Sequence, residues 1–241
     1  MFARGQMNTS TSFPSSMMAN PGSRARDKSG SFTNSGPPIL TPTDLHTFLR
    51  SRRSIRRFKP DLVPDATIER ILDTATYVPS AHHRQPWRFA VLTNAAAKEK
   101  LAEAMGREFQ RDLEMDSIPT GEIEKKVRRS REKIVAAPVI VVLNADITEM
   151  DVYPDKRRNK AEHLMATQSV SNAGMQLMLA AHAEGLGSVW ICSPLFAQET
   201  VRRALDLPET WEPQAMIFLG YAAETPQARE RKSIQDILKR L

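Results

Sequence analysis

Residues 52–60 of this chain read Arg-Arg-Ser-Ile-Arg-Arg-Phe-Lys-Pro, five cationic side chains in nine positions. The nearest acids are Asp44 before the run and Asp61 after it, so nothing local offsets the repulsion. Guanidinium forks bind phosphate through paired N–H donors, and Ser54 adds a hydroxyl to Arg52, Arg53 and Arg56. The same residues also suit the solvated end of a helix, where cations complement the dipole. Residue types alone leave the phosphate site and the helix end equally open.

A second polar tract, Pro79-Ser80-Ala81-His82-His83-Arg84-Gln85-Pro86-Trp87, runs directly into an apolar segment. Adjacent histidines in an extended segment point to opposite sides, and no cysteine or acid accompanies them at ligand spacing, so no metal site is expected. A place beside a substrate or cofactor is the functional reading of His82 and His83. The one cysteine, Cys192, rules out an internal disulfide framework and a multi-cysteine zinc site. Its ordinary role is that of a small apolar filler. No nucleophile–base–orienter set is visible.

The elements that must position these residues follow from periodicity. A short helix opens near Thr41–Asp44 and ends at the arginines. Asp65 is expected to cap an amphipathic helix carrying Ile68, Ile71, Leu72 and Ala75 on one face. Residues 87–93 read as a strand and 94–105 as a helix. Residues 107–136 are charged and mostly helical, with a break near 117–121. Residues 138–146 are a strand apolar on both faces. The longest helix covers 158–184, and its nearly uncharged middle, Leu164–Ala181, is expected to be buried almost all round, ending at Gly185 and Gly187. Met165, Met175 and Met178 on it, and Trp87, are core or interface by default. A strand over 188–192, a helix over 197–205 and a last strand over 214–222 complete the pattern, followed by a basic tail.

The 241 residues suffice for one sizeable core over 41–241. Residues 1–40 differ: 22 of them are Ser, Thr, Gly, Pro or Asn, without apolar periodicity. They read as a disordered segment or a start assigned too early, with a targeting segment as the weaker reading. Of the net charge of +6, this segment holds +3 (Arg4, Arg24, Arg26, Lys28 against Asp27), leaving an ordinary +3 on the rest. No basic stripe with interleaved aromatics appears, so nucleic acid is not expected as a partner. The apolar run at 136–143 is far short of the roughly 20 residues a membrane helix needs, even with Ile134 and Val135 before it. With a single cysteine and no secretory signal, a cytoplasmic protein without membrane association is expected.

Taken together, Arg52-Arg53-Ser54-Ile55-Arg56-Arg57-Phe58, then Pro79-Ser80 and Gln85-Pro86-Trp87, then the glycine-rich stretch 183–196 and the basic tail resemble the flavin-dependent nitroreductase family in order and spacing over about residues 43–238. The resemblance implies an α+β fold, a central mixed or antiparallel sheet flanked by helices, built as an intertwined homodimer. It implies FMN as cofactor, with NADH or NADPH as electron donor and a small organic acceptor. Arg52, Arg53 and Ser54 would hold the phosphate end, and Arg56 would face the pyrimidine edge of the flavin, where reduction places negative charge. Pro79 and Ser80 would meet the same flavin from the other subunit, Gln85 orienting their loop. A backbone N–H of Cys192 or Ser193 would donate to flavin N5, and Arg231, with Arg229 and Lys232 as neighbours, would add a phosphate cation. The Ala81–Arg84 tract and the charged region after Gly106 are most similar to the subgroup related to the C-terminal reductase domain of the deazaflavin-coenzyme glutamate ligase. Reduction of a deazaflavin or its precursor, and non-catalytic flavin binding, are the alternatives carried forward.

Overall fold

The computed structural model of the protein describes residues 41–241. The expected disorder of residues 1–40 lies outside the described residues. Helix α1 (Pro42–Ser51) leads into an extended segment, then α2 (Asp65–Ala75), β1 (Trp87–Leu92), α3 (Ala95–Met115) and α4 (Thr120–Ala136). Strand β2 (Val139–Asp146), the long α5 (Lys156–Ala183), β3 (Gly187–Ile191), α6 (Gln198–Ala204), β4 (Trp211–Gly220) and a one-turn α7 (Ile234–Ile237) follow.

The four strands form one sheet in the order β1-β2-β4-β3, every pairing antiparallel. Strand β2 lies inside it and is buried along its whole length, as its apolar run Val139–Leu143 requires. Its side chains alternate between two cores. Val139, Val141 and Leu143 pack with Ile68, Ile71, Val170 and Leu177 of α2 and α5. Ile140 and Val142 pack with Leu101, Met105, Ile134 and Val201 of α3, α4 and α6. The protein is therefore an α+β sandwich with helices on both faces of the sheet.

Two details differ from the sequence reading. Asp65 is the first residue of α2 rather than its cap; Pro64 occupies the cap position and makes no side-chain hydrogen bond. Proline fixes the entry φ there, so no capping side chain is required. Helix α5 is not buried all round within the chain. Ala166, Val170, Ala173, Gly174 and Leu177 face the sheet, but Leu164, Gln168, Ser171 and Met175 form an exposed, uncharged stripe on the other side. Gly174 allows the close approach, since a Cβ there would overlap Trp190 and Leu143. Among the described residues no helix is long and apolar enough to cross a membrane.

Candidate functional site

The arginine run begins where α1 stops. From Ser54 the chain turns extended: Ser54 pairs with Ser188 at the start of β3, and the Ile55 N–H donates to the Ser188 carbonyl at 2.9 Å. Ile55 is buried, and it lies so close to Gly187 that a Cβ on that glycine would come within 2.7 Å of it. Further along, Lys59 N–H donates to Tyr221 O at 2.8 Å and Ala223 N–H to Arg57 O at 3.0 Å. Glu224 seals this outer side, accepting from the backbone N–H of Arg56 at 2.7 Å and of Arg57 at 3.3 Å. Two apolar anchors, Ile55 and Phe58, and a few backbone bonds thus hold a segment that is otherwise mostly cationic.

Above that segment lies a cavity of about 510 Å³. Arg52, Arg53, Ser54 and Arg56 form one wall; the tail residues Pro226–Arg229 and Arg231 form the other. Among the described residues neither Lys232 nor a carboxylate lines it. Five arginines therefore line one cavity. The repulsion tells at Arg52, whose pKa is lowered by burial first and then by the neighbouring charges of Arg53 and Arg231. Its Nη1 is shut off from solvent and has no hydrogen-bond partner. A buried donor left unpaired costs about 1–3 kcal/mol. An oxyanion in the cavity would quench the repulsion, and a small shift of the guanidinium would let it satisfy that donor as well. The residues present therefore fit a phosphate group.

Beneath Arg52 and Arg53 sits a residue that sequence patterns do not single out. His182, near the end of α5, stacks on Phe48 with ring centres 4.9 Å apart and places Nε2 2.7 Å from Ser51 Oγ. Burial, then the charges of Arg52 and Arg53, push its pKa down. Nothing in its local sequence distinguishes it from any other helix-end histidine; only the fold brings it under the arginines.

The Pro79–Gln85 loop lies elsewhere. Ala81 N–H donates to Ser169 Oγ at 3.2 Å, and Asn172 Nδ2 donates to Pro79 O at 3.4 Å, so this loop sits on the middle of α5. His182 marks the arginine end, thirteen residues (182 − 169) or about 20 Å further along the helix axis. Within the loop Gln85 N–H donates to Ser80 Oγ at 3.1 Å, and the Gln85 amide nitrogen stands 2.9 Å from His83 Nε2. The histidines are not in extended backbone, as the sequence suggests: His82, His83 and Gln85 all have left-handed φ, at 51°, 56° and 49°. Side chains therefore do not simply alternate. His82 comes within reach of Asp151 and Glu162, acids that stand nowhere near it in the chain.

Cys192 and Ser193 follow β3, four residues beyond the Ser54–Ser188 bridge and so about 13 Å from it. The thiol is exposed and unbridged, and Trp190 Nε1 donates to it at 3.2 Å. Ser193 borders a separate, mostly apolar cavity of about 440 Å³ that includes Phe109, Leu113 and Phe196. The structure thus gathers Arg52, Arg53, Ser54, Arg56 and Arg231 into one cavity. It keeps Cys192 and Ser193 at a distance along β3, and Pro79, Ser80, His82, His83 and Gln85 apart from both.

Comparison with known proteins adds an independent line. The profile described as the Nitroreductase family matches residues 49–221. A Methanothermobacter thermautotrophicus protein, provisionally named NADH dehydrogenase/NAD(P)H nitroreductase, is 32% identical over 79% of this chain and 84% of its own. A Bacillus subtilis protein, provisionally named NAD(P)H nitroreductase YfhC, is 29% identical over 80% of this chain and 91% of its own. Among solved structures, a provisionally assigned nitroreductase of Desulfovibrio desulfuricans in complex with FMN superposes with a TM-score of 0.63 at 23% identity, covering 84% of this chain and 98% of that one.

Proposed function

Because this chain belongs to the Nitroreductase family, we propose that its arginine cavity holds the phosphate of FMN and that the protein is an NAD(P)H-dependent oxidoreductase. The observation that carries this reading is the buried, unpartnered Nη1 of Arg52 in a cavity of five arginines. When bound, FMN supplies hydride transfer, accepting from NADH or NADPH and delivering to a quinone, nitro or enone-like acceptor in a ping-pong sequence.

The chain's own residues bind, orient and tune. Arg52 and Arg53 meet the phosphate from one wall with Ser54, and Arg231 closes on it from the tail, Arg229 beside it. Arg56, exposed where Arg52 and Arg53 are half-buried, offers positive charge to the ring rather than to the phosphate. The turn at Cys192 and Ser193 presents backbone N–H donors further along β3. No side-chain acid or base is required, which agrees with the lack of a nucleophile–base pair at these positions.

A second copy completes the arrangement. The exposed stripe Leu164, Gln168, Ser171 and Met175 is uncharged and continuous along α5. Two such helices could pack about a two-fold axis, and the family resemblance implies that each copy's Pro79-Ser80 loop then meets the flavin held by the other copy. Gln85 and His83 would then border the flavin's open face. The family resemblance and this separation of loop and cavity both favour a homodimer with two composite sites.

The visible spectrum of the purified protein tests this, taken before and after anaerobic addition of NADH and of NADPH. Flavin bands that bleach support the reading. Bands that persist with both donors but bleach with a reduced deazaflavin would move the donor to that class, as the Ala81–Arg84 tract suggests. Bands that persist with every donor would reduce the protein to a flavin carrier. A colourless protein that cannot be reconstituted with FMN would overturn the proposal.

A further inference from the structure

Away from the arginines, His82, Asp151 and Glu162 place one ring nitrogen and two carboxylate oxygens within 4.8 Å of one another. None of the three lines the arginine cavity. Glu162 is the residue that needs explaining. It is 5% exposed, on the face of α5 turned into the protein, and its Oε2 is sealed from solvent without a hydrogen-bond partner. A carboxylate taken out of water requires a proton, a donor or a cation. Among the described residues no ion pair reaches it. Arg84 pairs with Asp151, Arg88 with Asp146 and Glu149, and Arg158 with Asp155.

Each of the three groups comes from a separately anchored element. Glu162 is set by α5 itself. Asp151 belongs to the loop before α5, and Asn159 clamps that loop by accepting from Tyr153 N–H and donating to Tyr153 O, both at 2.8 Å. The Arg84 ion pair uses Asp151 Oδ1, leaving Oδ2 free. His82 stands on a turn with three left-handed non-glycine residues, a backbone that persists only where the surroundings hold it. Three hydrogen bonds do so: His83 N–H to Ser80 O, Gln85 N–H to Ser80 Oγ, and Ala81 N–H to Ser169 Oγ. A ligand gripping His82 from the α5 side would supply further hold and would neutralise Glu162 in the same act.

We propose that His82, Asp151 and Glu162 form a binding site for one divalent transition-metal ion of the zinc class, which fastens the 80–85 turn to α5. An imidazole nitrogen with two carboxylates suits that class, whereas magnesium and calcium take oxygen ligands throughout. Two carboxylates balance the charge of the ion, and water completes the coordination. Bonds of about 2.0–2.2 Å set ligand atoms roughly 3–4 Å apart, so the exposed His82 ring need close by no more than about 2 Å.

The test is calorimetric titration of tag-free, chelator-stripped full-length protein with zinc chloride, alongside His82→Ala, Asp151→Asn, Glu162→Gln and His83→Ala. One zinc ion per chain is expected. His82→Ala, Asp151→Asn and Glu162→Gln should each weaken binding at least tenfold, and His83→Ala, whose ring meets Gln85 instead, should leave it unchanged. Zinc should raise the melting temperature of the parent protein and not that of His82→Ala, an exposed substitution that leaves the core intact. No stoichiometric binding by the parent, or binding that survives His82→Ala or Glu162→Gln, would overturn the proposal. So would a loss of binding in His83→Ala equal to that in His82→Ala, since the ion would then sit on the histidine pair alone.

Discussion

At the scale of single residues the site is a compromise between binding and stability, and Arg52 carries it. Replacing Arg52 with Ala removes charge-assisted hydrogen bonds worth about 1.5–3 kcal/mol, so FMN affinity should fall roughly ten- to a hundred-fold, read by flavin fluorescence on titration. A variant that keeps its flavin at parental affinity would remove Arg52 from the phosphate site. The flavin-free protein should respond the other way. Arg52→Met deletes an unpaired, repelled guanidinium, and urea unfolding should show no loss of stability, with a gain of up to about 1 kcal/mol once partial exposure is discounted. His182 adds a pH dependence. Its folded pKa lies below the ordinary histidine value because of burial, Arg52 and Arg53, so the unfolded chain takes up a proton that the folded chain refuses. Stability of the flavin-free protein should therefore hold above about pH 6.5 and decline as pH falls below it, and His182→Gln should flatten that decline.

At the scale of elements, the cavity exists because an extended cationic segment is pinned against the end of a sheet. Its one deep anchor is Ile55 over Gly187, where a Cβ would come within 2.7 Å of the isoleucine. Gly187→Ala should cost about 1–3 kcal/mol through overpacking and should displace Arg52–Arg56 with it. Both effects are measurable, as a lower urea midpoint and as flavin lost on gel filtration. The strands and long helices are legible from pattern. The segment 138–146, apolar through Leu143, becomes the fully buried β2, and Ile68, Ile71 and Ala75 are the buried face of α2. Periodicity reports which face meets the core, but not how an unpatterned segment runs. That is why residue types suggest an extended Pro79–Gln85 segment where the structure has a turn: left-handed φ at two histidines and a glutamine leaves no compositional trace, unlike glycine at Gly185.

At the scale of the whole molecule, α5 is the pivot. Its inner face builds the core, its last turn sets His182 under the arginines, and its middle carries the Pro79-Ser80 loop. The open stripe around Met175 is the proposed two-fold contact. Met175→Glu should convert the proposed dimer to a monomer in analytical ultracentrifugation and should release flavin in step, because each proposed site draws on both copies. A Met175→Glu protein that is monomeric yet fully flavin-loaded would confine the site to one chain.

The chain's order of residues determined by itself most element positions and the arginine run, because apolar periodicity and clustered charge are local properties; the α+β class came with the family resemblance. It also carried the family resemblance, which the match over residues 49–221 bears out. Only the tertiary structure decided that Arg231 faces Arg52 across a cavity while Lys232 does not, that His182 lies beneath them, and that His82 meets Asp151 and Glu162. Each of these joins residues distant along the chain. Such meetings are set by how helices and strands pack, and nothing in the local chemistry of either partner records the other.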